Sequence, residues 1–182
     1  MHTATVLAPI HPTTAPACRL VVRGEKGLSQ VFEFISAGLE IGQQVVAMAG
    51  PCCLKDIASG LSQIGLRPET LLRSGRLVFL TAPDCLPQLV LPQDPLKRGA
   101  LRLNGSVVRW VSDWSWAYGN GSSASTIQNN QYQVHDFVRS ITRLSLCTVH
   151  CEKLARNSLL AMVADHRRAA RANPRTPVVA PS

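Results

Sequence analysis

The segment Gln43 to Ala49 (QQVVAMA) is a continuous apolar run of strand length. A strand with one wet face alternates polar and apolar side chains, whereas a strand covered on both faces is apolar throughout. Such a strand requires a layer of structure above it and another below. It therefore directs the chain toward a parallel sheet sandwiched between helices.

The flanking sequence supplies those helices. Leu28, Val31, Phe32, Ile35 and Leu39 recur at helical spacing before the run, and Gly42 is placed to stop that helix. After the run, Gly50-Pro51 opens a second helix, with proline where its missing N–H is harmless. Leu54, Ile57, Ala58, Leu61 and Ile64 form its stripe, and Gly65 ends it. Pro68 to Arg73 reads as a short helical turn closed by Ser74-Gly75. Further strands are expected at Arg19 to Arg23, Arg76 to Thr81, Ser106 to Ser112 and Ser145 to Val149. A helix from about Thr126 to Arg143 carries Ile127, Val134, Phe137, Val138 and Ile141, and a last helix spans Leu154 to Ala170. Strands alternating with helices give an α/β fold of three layers, a mainly parallel sheet with helices on both faces and right-handed crossovers.

The 182 residues suffice for one domain with a substantial core. Residues 18–170 are read as that domain, preceded by a flexible leader at 1–17 and followed by a disordered, proline-rich, basic tail at 171–182. Between Ala82 and Gly105, Pro83, Pro87, Pro92 and Pro95 forbid a long helix, and the stretch reads as an irregular excursion over one face. No apolar run approaches the roughly 18 residues of a membrane span. Met1 to Pro16 has no basic region followed by an apolar stretch, so a cytoplasmic chain is expected, with its six cysteines reduced. The net charge of +8 favours acidic partners, but Lys153, Arg156, Arg167, Arg168, Arg171 and Arg175 concentrate it near the C-terminus.

Ligands of open parallel sheets bind beyond the carboxyl ends of the strands. There the sequence places Gly50-Pro51-Cys52-Cys53, then Ala82-Pro83-Asp84-Cys85, then Asp113 to Tyr118 (DWSWAY), then His150-Cys151-Glu152. Cys52 and Cys53 begin a helix, where a thiol pKa is depressed; they are either a reactive pair or two small inert residues. Cys147, His150 and Cys151 have ligand-type side chains, but along a strand His150 faces away from the two cysteines, so no metal is assigned. Ser115, His135 and Asp136 lack the Gly-x-Ser-x-Gly elbow of a hydrolase. The turn AGPCCLKD has Lys55 but not the glycines or the Ser/Thr of a phosphate loop, which leaves Asp113 without a magnesium site to complete. Trp114, Trp116 and Tyr118 line an apolar pocket or pack in the core. Cys52, Cys53, Asp84, Asp113, Trp114, Trp116 and His150 are thus the candidate ligand-binding residues, with no catalytic residue and no cofactor.

FEFISAGLEIGQQVVAM, LSQIGLRPETLLRSGRLVFL, VVRWVSDWSWA and CTVHCEKLARNSLLAMVADH occur in an order that resembles the MEDS sensory domain, named for methanogen and methylotroph regulators and the DcmR-type repressor. The resemblance covers about residues 18 to 168. It implies a RecA-like core without a functional phosphate loop, sensing small molecules such as hydrocarbon derivatives in bacterial transcriptional or two-component regulation. The stretch Pro83 to Gly105 replaces a helical segment usual in that family, and Arg follows His166 where proline is common. With no helix-turn-helix or kinase segment attached, the regulatory role implies a partner protein, either a kinase or a DNA-binding regulator. The alternative is a nucleic-acid-associated protein that uses the basic C-terminal helix and tail, whose binding would weaken steeply with salt.

Overall fold

The computed structural model describes residues 18–23, 28–82, 107–119, 123–142 and 144–150, together with 160, 163, 164 and 166. The leader at 1–17, the excursion at 83–105, the tail at 171–182 and most of the last expected helix lie outside the described residues.

Among the described residues five strands form one sheet: β1 (Cys18–Arg23), β2 (Gln44–Ala49), β3 (Leu77–Thr81), β4 (Val108–Asp113) and β5 (Leu144–His150). Their order is β1-β5-β4-β2-β3, and every pairing is parallel. The helices are α1 (Ser29–Glu40), α2 (Pro51–Gln63), α3 (Pro68–Arg73), α4 (Ser115–Gly119) and α5 (Ala124–Ile141). The interior strand β2, between β4 and β3, is buried at all six positions, as its unbroken apolar run requires.

Alternate residues of the strands feed two separate cores. Val45, Ala47 and Ala49 of β2 join Val111 and Leu146 under α1, α2 and α3, where Val31, Ile35, Leu39, Ile57, Leu61 and Leu71 point inward. Val46 and Met48 turn to the opposite face, with Trp110, Cys147 and Val149, and are covered by Ile127, Val134 and Val138 of α5. This division follows from handedness. The crossovers from β1 to β2 and from β2 to β3 run in one direction across the sheet, and that from β4 to β5 runs in the other. Right-handed connections of opposite direction place their helices on opposite faces.

Local signals account for the boundaries. Gly42 and Gly65 adopt φ of +79° and +85° just after α1 and α2, the left-handed conformation that ends a helix cheaply only at glycine. Pro51 occupies the first turn of α2. The Ser123 side chain accepts a hydrogen bond of 3.2 Å from the Thr126 amide and caps α5. On the α1 face, Arg109 donates from Nε to Gln43 Oε1 at 2.5 Å and from Nη1 to the Phe34 carbonyl at 3.0 Å. Its guanidinium lies 4.9 Å from the Phe34 ring centre, and burial lowers its pKa from the usual arginine value.

Candidate functional site at the sheet switch point

β2 and β4 are neighbours, but the helices that follow them leave toward opposite faces. Where the chain parts in this way, a parallel sheet leaves a crevice at the carboxyl ends of its strands. The fold thus brings Gly50, Pro51, Cys52 and Cys53 from one side of the crevice toward Asp113, Trp114, Ser115 and Trp116 from the other. The contact is close, because a Cβ built on Gly50 would stand 3.0 Å from the Cβ of Trp116.

Asp113 is 1% exposed and is the only buried carboxylate among the described residues. Its Oδ1 accepts from the Ser115 amide at 3.1 Å, and its Oδ2 accepts from the Ser115 hydroxyl at 3.1 Å and from Thr148 Oγ1 at 2.8 Å. The first two bonds form a local turn of the kind aspartate favours, and they launch α4. The third ties β4 to β5, where Asp113 and Thr148 are register partners. This carboxylate organises the turn that carries the two tryptophans.

Trp114 is fully buried, and Trp116 is partly exposed. Their rings stack at 6.3 Å between centroids with an interplanar angle of 26°. The sheet ladder holds the Trp114 backbone through its amide bond of 3.0 Å to the Thr148 carbonyl. Both indole N–H groups are buried and lack a hydrogen-bond acceptor among the described residues. The third tryptophan differs, since Trp110 Nε1 donates to Ser112 Oγ at 2.7 Å. Buried donors nearly always find partners, so two orphaned indoles side by side require an explanation. Gln131 Nε2, on the inward face of α5, is likewise buried and has no partner among the described residues.

The other candidates fall as follows. Cys52 is exposed at the start of α2, and Cys53 is buried beneath it against the α1–α2 core. His150 ends β5 with its backbone opposite Arg23. Its side chain and Asp84 lie outside the described residues, so neither is placed at the crevice. Ser115 bonds Asp113, while Asp136 turns to solvent with its carboxylate 3.9 Å from Arg139. The hydrolase grouping of Ser115, His135 and Asp136 is therefore not assembled. His135 instead packs inward toward Cys147, with Nε2 and Sγ 3.8 Å apart, and its ring lies 5.0 Å from that of His166. This grouping has no local sequence signature; the one clue is a histidine on the apolar face of an amphipathic helix. Compared with models of known protein families and with curated proteins, the chain matches none.

Proposed function

We propose that this chain is a non-catalytic sensory domain of the MEDS kind, which binds a small oxygen-bearing organic molecule at the crevice between β2 and β4 and passes that state to a partner protein in a regulatory pathway. The observation that carries the reading is the pair of stacked indoles whose buried N–H groups have no acceptor among the described residues. Flat apolar surface with a few convergent donors suits a compact molecule that has one apolar end and one carbonyl, hydroxyl or carboxylate oxygen.

Two further features support sensing over nucleotide chemistry. The turn after β2 reads Gly50-Pro51-Cys52-Cys53, without the glycine cradle or the Lys-Ser/Thr pair that phosphate binding needs. Asp113, placed where an acid could hold magnesium, is engaged with Ser115 and Thr148. Entry to the crevice requires the partly exposed Trp116 to move away from Gly50, and that displacement is the signal a partner would read.

The test uses short-chain alcohols, aldehydes and carboxylic acids, with thermal stability and tryptophan emission as readouts. At least one class should raise the melting temperature of the wild-type chain in proportion to the logarithm of its concentration, and Trp116→Phe should weaken that response. A panel that leaves both readouts unchanged would sink the reading, as would an equal response in Trp116→Phe.

A further inference from the structure

His135 projects from α5, Cys147 from the middle of β5, and His166 from a helical position beyond β5, so three separate segments converge. All three side chains are buried, at 5%, 3% and 3% exposure. One ligand-type atom from each, two imidazole nitrogens and a thiol sulfur, lies within 4.8 Å of the others. Trp110, Trp114, Val134 and Val138, with Ser112 and Ser145, border the same narrow gap as His135 and Cys147.

Tetrahedral bonds of about 2.0–2.1 Å to nitrogen and about 2.3 Å to sulfur put ligand atoms roughly 3.4–3.6 Å apart. The Cys147 sulfur and His135 Nε2, at 3.8 Å, already stand near that separation. The longest separation, within 4.8 Å, closes by about 1.2–1.4 Å through small side-chain rotations. The two imidazole rings meet edge to face at 67°, so they do not stack flat against each other. A mostly apolar surround limits solvent access to this compact set of nitrogen and sulfur donors.

We propose that His135, Cys147 and His166 bind one transition-metal ion of borderline to soft character, Zn²⁺ or copper, through two imidazoles and one thiolate. Binding displaces the Cys147 thiol proton to solvent and involves no change in oxidation state of the protein. Cys147, rather than the sequence-adjacent His150 or Cys151, is the anchor, because its side chain points from β5 into the α5 face. The ion would fasten the segment beyond β5 to the sheet and to α5. The proposal stands whether or not the crevice binds an organic ligand.

The full chain, reduced and stripped with chelator, is titrated with Co²⁺ as a spectroscopic substitute for Zn²⁺, and separately with Cu⁺. One equivalent of Co²⁺ should produce thiolate charge-transfer absorption and the visible bands of a low-symmetry four-coordinate ion, which one equivalent of Zn²⁺ then removes. Saturation with Cu⁺ but not Co²⁺ would assign the site to copper. Cys147→Ser should abolish the charge-transfer band, and Cys52→Ser should leave it unchanged. X-ray absorption of the loaded wild-type chain should count one sulfur and two imidazole nitrogens, which decides the matter if Cys147→Ser does not fold. Absence of stoichiometric binding by either metal overturns the proposal, as does a band that survives in folded Cys147→Ser or a shell with more than one sulfur.

Discussion

The Cβ of Trp116 lies 3.0 Å from where a Cβ on Gly50 would stand, so the turn after β2 and the helix after β4 touch across the point where the two halves of the sheet diverge. Gly50 has an ordinary extended conformation, with φ of −67° and ψ of 157°, and the demand for glycine there is one of space. Gly50→Ala should therefore destabilise the fold by about 1–2 kcal/mol through overpacking. In Trp116→Gly, which removes that Cβ, the same change should be close to neutral. Urea denaturation of the four members of this double-mutant cycle measures the coupling, and additive effects would deny the contact.

Asp113 accepts hydrogen bonds from Ser115 and Thr148 in a buried site. Replacing it with alanine removes the acceptor that the Thr148 hydroxyl and the Ser115 amide share, for a loss of about 2–4 kcal/mol, whereas Asp113→Asn retains an acceptor oxygen and should lose about half as much. Thermal unfolding of both variants checks the order. A larger loss for asparagine than for alanine would contradict the assigned bonds.

Helices α1 and α2 meet closely at Gly60, where an added Cβ would come within 2.1 Å of Phe32 Cζ. Phe32 is partly exposed, so its ring can swing outward. Gly60→Ala should thus destabilise by about 1–3 kcal/mol in the wild type, and much less in a Phe32→Ala background. Equal effects in the two backgrounds would show that the helices do not meet there.

Cysteine accessibility separates neighbours in sequence. Cys52 is exposed, while Cys53 and Cys147 are buried. Brief iodoacetamide treatment of the native chain followed by peptide mass spectrometry should find Cys52 modified well ahead of Cys53 and Cys147, with the difference lost in denaturant. Comparable labelling of Cys52 and Cys53 in the native chain would contradict the placement of α2.

The sequence is most informative where burial is total. The apolar run ending at Ala49 marks β2, and the α3 boundaries expected from Pro68 and Ser74 are those observed. Strand β4 begins two residues later than the apolar pattern suggested and extends to Asp113, because the β4–β5 ladder continues through the Asp113–Thr148 pair. The aromatic segment after it, which shows no helical periodicity, forms the short helix α4 on a turn set by Asp113 and Ser115. Residue types at strand ends pointed to the crevice, yet they could not separate Cys52 from Cys53, which differ in exposure through one step of helix rotation. The grouping of His135, Cys147 and His166 is invisible to spacing, since it depends on where α5, β5 and His166 come together.

The central claim is that Trp114 and Trp116 keep their indole N–H groups for a ligand, and the chain carries its own control. Three indole cross-peaks are expected in a ¹H–¹⁵N correlation spectrum, and that of Trp110 belongs to a donor already bonded to Ser112. Titration with the alcohol, aldehyde and carboxylic acid panel should shift the Trp114 and Trp116 indole peaks together and saturably, and leave the Trp110 peak in place. Shifts confined to other residues, or no saturable shift of either crevice indole with any compound, would contradict the account.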